Sequence, residues 1–477
     1  MAHGLHKSSI AEEWSMHSAR DCLRGVLLLA VAFLLVFTSY NAIENLETSI
    51  LPGACHGCDA PSPFAVCQRD SVCMAKVQYA CDAACAAPFV ECKSTLGSTT
   101  LGVIYLCFML SSMLGPLVPQ MIGEKTSLIG SSACYGVFAV ANMVVAMHPA
   151  ATELHAWILL PASALIGLAA SVLWVSQGSY LTRLSVCYAQ FKNLPDTSSM
   201  GYMNGSFSAI YKASQLTGNV LSSFVLGTLQ WSSTTLFMTY ATLSFLGTGC
   251  LCFLEPLQKL QRLPTEGSKL LPGEEPPHSP LASMRAVWTL AMDPRMVVLA
   301  PLMLFTGIQQ GFTSSEFTSS FIRESLGEAS IGYVMAVFGG MSVVFSYVLG
   351  RVTDRVGPMW TQLLACAAQF TAYSLCLWTP MTKCDGQWTL ILVCAVLLSL
   401  SEAASSTIPS VVMGQEFTAN ALNAFSLFRV YHSGAASLSF FGLPLLSLTG
   451  RLYVLLASTA LAAASMVLYA TRYRTVA

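Results

Sequence analysis

A chain of 477 residues that is 54% hydrophobic and only 10% charged, with a mean hydropathy of +0.60, carries more apolar surface than a soluble domain of that size can bury. It reads as an integral membrane protein, whose partner is the lipid bilayer. A formal net charge of −1 without a basic run gives nothing for a nucleic acid to bind, and with neither a P-loop nor an HExxH helix present, no cofactor or metal is expected.

A bilayer core needs about 20 apolar residues per helix. Segments of that kind fall near 23–50, 100–121, 126–147, 156–180, 204–229 and 233–254, and again near 297–322, 331–350, 360–379, 388–413, 422–446 and 451–471. The expected fold is therefore an all-α bundle of about twelve transmembrane helices in two six-helix halves. Residues 1–22 precede it as a polar N-terminus, 23–254 form the first half with a polar loop at 51–99, 255–290 form a Pro-, Glu- and Lys-containing linker, 291–471 form the second half, and 472–477 are a tail.

Orientation follows from Lys and Arg in the short loops. With the N-terminus in the cytosol, one face collects Arg20, Arg24, Lys125, Arg183, Arg351, Arg355 and, by this reading, Arg429. The opposite short loops keep Arg323, Lys383 and Arg451. Both termini and the linker are then cytosolic, and the 51–99 loop is extracellular or lumenal, at the plasma membrane or an endomembrane. Cys55, Cys58, Cys67, Cys73, Cys81, Cys85 and Cys92 lie in that loop, and Cys384 lies on the same side. On an oxidising face such thiols are expected to form disulfides, with the pairing undetermined. The cysteines of the spans read as small buried hydrophobes.

The eighth span ends in "GRVTDRVG", and the matching point of the first half reads "GPLVPQMIG" without the Asp and Arg. Gly350, Asp354, Arg355 and Gly357 resemble the cytosolic gate signature of the major facilitator superfamily, whose six-helix halves face a central cavity. Glycines there permit a tight turn, and an Asp–Arg pair can latch neighbouring helix ends. "FTSYNAIENLETSI", "LLPASALIGLAASVLWVSQGSYLT", "SQLTGN", "FTGIQQGFTSSEFT" and "AFSLFRVYHSGAAS" are similar to the UNC-93 family, and the resemblance runs over nearly the whole chain. It implies a regulator of potassium channels or of ion homeostasis, with a channel or receptor in the membrane as partner. This chain departs from the family in its Cys-rich loop and in carrying Glu44 and Glu47 where relatives tend to have Gln.

Ionisable groups at membrane depth are costly and are functional or paired. Thr38, Asn41, Asn45 and Thr48 recur at helical spacing on the first span, with Glu44 and Glu47 beside them. Gln309, Thr313, Glu316 and Ser320 form a second polar stripe on the seventh. Two stripes on equivalent helices imply a shared wet cavity in which Glu44, Glu47 and Glu316 bind a cation or carry protons. The alternative for Glu44 and Glu47 is a solvated helix end. Lys212 needs a wet cavity or an acidic partner, for which Glu316 and Glu402 are candidates, or else snorkels to the interface. Gln177 and Tyr180 are candidates for the cavity wall, and His432 reads as a packing residue. The alternative to a regulator is a proton- or cation-coupled carrier of a small solute. No nucleophile with an adjacent base suggests an enzyme.

Overall fold

The computed structural model describes residues 18–50, 66–67, 79–80, 96–114, 117–148, 151–193, 200–255, 287–327, 330–379, 387–417 and 421–473. The first six long helices are α1 (Ala19–Ile50), α2 (Leu96–Ser112), α3 (Glu124–Met147), α4 (Thr152–Phe191), α5 (Met200–Ser223) and α6 (Ser233–Cys252). The second six are α7 (Pro294–Gly311), α8 (Ser330–Val356), α9 (Pro358–Trp378), α10 (Gln387–Glu416), α11 (Ala421–Gly442) and α12 (Leu448–Tyr473). Each expected span has its helix. Among the described residues, seven helices are long and apolar enough to cross a membrane, and Leu96–Ser112 and Ser330–Ser346 are shorter apolar stretches.

Local chemistry sets the helix ends. Ser18 Oγ accepts from the Asp21 amide at the start of α1, Ser232 accepts from Thr235 at the start of α6, and Asp293 caps α7 ahead of Pro294. The fourth helix runs to Phe191 rather than stopping near 180, because "TRLSVCYAQF" contains no Gly or Pro to end it. At 40 residues it is about 60 Å long and overshoots a bilayer core. Beyond Gly311, α7 continues as a π-helix, Phe312–Arg323, and all of Phe312 to Ile322 are buried.

Two helix pairs join the halves: α2 packs on α11 and α5 on α8 as closely as neighbours do inside each half. Small residues allow this approach. Gly332 of α8 lies against Ser222, Ser223 and the Asn219 carbonyl of α5, and Ser437 of α11 donates to the Gly102 carbonyl of α2 at 2.9 Å. The π segment of α7 also packs on α1.

The turns after α2 and α8 repeat one geometry. Gly123 (φ 83°, ψ 153°) and Gly357 (φ 88°, ψ 159°) both take a backbone that only glycine adopts readily. Where the second copy carries Asp354 and Arg355 on the last turn of α8, the first has Glu124, which pairs with Arg183 at 3.1 Å and accepts from Ser179 at 2.7 Å. An ionic contact at this corner therefore exists in the first half, built from residues outside the motif. The side chains of Gly350's neighbours Asp354 and Arg355 lie outside the described residues, as do Cys55, Cys58, Cys73, Cys81, Cys85, Cys92 and Cys384. Cys67 sits on a two-residue strand that pairs with Tyr79–Ala80.

Candidate functional site

Buried polar groups concentrate where α1 meets α5 and α7. Along α1, Thr38 bonds Thr217 at 2.9 Å, Asn41 donates to Ser214 at 3.0 Å and Asn45 donates to Asn219 at 3.1 Å. The polar face read from the sequence thus forms a zipper with α5 inside the first half. Satisfied in this way, these side chains hold two helices together rather than simply lining water.

Glu44 stands beside the zipper, 5% exposed, and is not a solvated helix end. Its Oε1 accepts from the Tyr105 hydroxyl at 2.9 Å and from Gln310 Nε2 at 2.8 Å. Gln310 belongs to α7, so this carboxyl bridges the halves. Ser98 and Ser315 add a second bridge at 3.2 Å. Glu47, one turn on, is 1% exposed, and neither carboxyl oxygen has a hydrogen-bond partner. A carboxylate in that setting is costly unless a proton or a cation neutralises it.

The second stripe divides between two faces. Glu316 forms an ion pair with Arg451 of α12 at 2.5 Å and accepts from Ser320 at 3.2 Å. Arg451 also donates to the carbonyls of Leu446 and Pro444, at 2.8 and 3.1 Å. It is buried, which corrects its reading as a loop charge, and Glu316 is its partner rather than that of Lys212. Gln309 turns to α10, where Ser405 and Ser401 donate to it at 2.9 and 3.4 Å. Thr313 is buried nearby. Lys212 donates to Ser346 of α8 at 2.7 Å, and Glu402 accepts from Ser342 of the same helix. Tyr180 is fully buried with its hydroxyl on the Glu255 carbonyl at 2.9 Å, and Gln177 is buried on the turn below.

Arg429 differs most from expectation. It does not mark the end of α11 but reaches the centre of the bundle, where its guanidinium lies 5.7 Å from the Trp174 ring centroid and 5.8 Å from that of Phe428. Trp174 is itself part of a cluster with Phe33, Phe37 and Tyr211 in the first half. Among such surroundings the Arg429 side chain is nonetheless exposed, so it borders an open space between the halves. His432, one turn on, shares a 2.9 Å hydrogen bond with Thr306 and packs against Phe428 and Tyr105.

The profile of the family described as "Ion channel regulatory protein UNC-93" matches residues 91–468. The chain belongs to the UNC-93 family. It is 28% identical to UNC93-like protein 3 of Arabidopsis thaliana over 94% of this chain and 86% of that protein. It is 27% identical to protein unc-93 homolog A of Mus musculus, over 92% and 91%. A Caenorhabditis elegans protein named for potassium channel regulation shares 24% identity over 71% of this chain and 46% of its own length. Among solved structures, the inward-open xylose transporter XylE from E. coli aligns with a TM-score of 0.62 at 12% identity, covering 95% and 96% of the two chains. The nucleoside transporter NupG aligns at 0.60 and 11%, covering 94% and 100%. These similarities fix the fold of this UNC-93 protein as that of the major facilitator superfamily, as its sequence led one to expect.

Proposed function

We propose that this UNC-93 protein is a non-catalytic regulator of an ion channel, acting on potassium balance, with both termini cytosolic and the Cys-rich loop extracellular or lumenal. The family match over residues 91–468 carries the reading. The internal charges favour it: Glu316 is engaged with Arg451 and Glu124 with Arg183, so both act as struts. The partner is a channel in the same bilayer. The test is to measure potassium conductance of the native membrane with and without this protein, beside potassium flux in liposomes holding it alone. A conductance that changes on its removal, with no flux from the protein alone, supports the regulator. An unchanged conductance sinks it.

A second reading, a cation- or proton-coupled carrier, is favoured by Glu47, whose buried carboxyl oxygens lack partners. Under imposed pH and potassium gradients, a carrier shows flux that Glu47→Gln removes. Flux indifferent to that change takes Glu47 out of the path.

A further inference from the structure

The Arg429 guanidinium has no role in either reading. Among the described residues, the ion pairs are Arg183–Glu124, Arg295–Asp293 and Arg451–Glu316, and no carboxylate pairs with Arg429. Glu44 and Glu402 are already held, Glu44 by Tyr105 and Gln310, Glu402 by Ser342. An arginine at membrane depth without a counter-charge is costly, and its exposure leaves the guanidinium bordering an open space in which an anion can meet it. Flat rings flank it, Phe428 from its own helix and Trp174 from α4, and Tyr211 from α5 stands edge-on to Trp174 with centroids 5.3 Å apart.

A guanidinium offers a planar fork of donors that matches two oxygens of a carboxylate or phosphate, while aromatic faces take up a flat apolar body beside it. We propose that Arg429, Trp174 and Tyr211 form a binding site for a small organic anion whose carboxylate or phosphate is attached to an aromatic or other flat unsaturated body. The anionic head meets Arg429 from the second half, and the body lies against the Trp174–Tyr211 wall of the first. Because the two parts of the site come from different halves, an occupied site ties them together. The site holds whether the protein regulates a channel or carries a solute.

The test uses the full-length protein in nanodiscs, titrated with benzoate and phenyl phosphate while tryptophan fluorescence is followed. Benzylamine, which keeps the ring and reverses the charge, and acetate, which lacks the ring, serve as comparisons. Saturable quenching by benzoate or phenyl phosphate is expected, with benzylamine silent and acetate at least about tenfold weaker. Trp174→Phe removes the signal, Arg429→Lys weakens binding about tenfold by losing the fork, and Arg429→Gln abolishes it. The ligand comparison on the unaltered protein decides the matter even if a variant fails to fold. No saturable binding of either anion, equal binding of benzylamine, or full binding by folded Arg429→Gln overturns the proposal.

Discussion

Glu316 on the π segment of α7 and Arg451 on α12 stand 2.5 Å apart, and each is held from a second direction, Glu316 by Ser320 and Arg451 by the carbonyls of Leu446 and Pro444. Both side chains are almost wholly buried, at 4% and 8% exposed, and both belong to the second half. An ion pair closed in this way braces one half against its own outer helix.

Removing one partner leaves a buried charge alone, which typically costs about 3–5 kcal/mol. Glu316→Gln is therefore expected to lower the thermal unfolding midpoint of the purified protein. Glu316→Met combined with Arg451→Met should recover much of the loss, since neither charge is then stranded. A single substitution that leaves the midpoint unmoved would remove the pair from the stability of this half.

The Ser98–Ser315 and Glu44–Gln310 bridges join α2 and α1 to α7 across the halves. Cysteines placed at both 98 and 315 should cross-link under mild oxidation, and either one alone should be protected from a hydrophilic maleimide. Gln310→Ala should raise that labelling severalfold. Rapid labelling in the unaltered background would contradict a closed contact here.

At Gly218 an added methyl would run into the Thr38 carbonyl oxygen, and at Gly307 into that of His432. Both obstacles are backbone, so neither can swing aside. Gly218→Ala should separate α1 from α5, disturbing the zipper and the 2.9 Å bond from Tyr240 to the Gly218 carbonyl. A loss of about 1–3 kcal/mol is expected. Tyr240→Phe removes only that hydrogen bond and should cost about 0.5–1.5 kcal/mol. Chemical unfolding of the two variants side by side gives the comparison.

Asp293 lies just outside α7, and Arg295 holds its carboxyl below the usual value through a side-chain bond from Nε at 3.2 Å and one from its own amide at 2.9 Å. With the folded value depressed, the stabilisation is complete above the unfolded value of about 3.9 and is lost as pH falls through the folded value. The pair lies at the surface, with Asp293 25% and Arg295 37% exposed, so Asp293→Asn should cost only about 0.2–1 kcal/mol at neutral pH. The difference from the unaltered protein should vanish under strong acid. Unfolding midpoints of both proteins across pH check the sign.

Most of the architecture was readable because apolar length and Pro- and Gly-rich breaks determine membrane helices almost alone. The site was harder. Gln309, Thr313 and Glu316 line up under an α-helical period, but α7 widens to a π-helix after Gly311, so Glu316 turns to α12 while Gln309 faces α10. Gln310, the residue that reaches Glu44, fell off the assumed stripe. Arg429 had a usable signal: the helix begins at Ala421, which places it two turns inside rather than at an end. The free thiols of Cys22 and Cys187, and of Cys376 and Cys394, lie beside one another across different helices, neighbours that no spacing encodes.

The matched glycine turns at 123 and 357 separate shape from charge in this fold. Their backbones agree within a few degrees although the residues before them share no acidic or basic group. What the two corners share is a bend that a side chain would strain, while the ions beside them sit on different helices. A segment transplanted from one half to the other would therefore keep its path and change only its electrical neighbours, so the two corners amount to one mechanical joint wired in two ways.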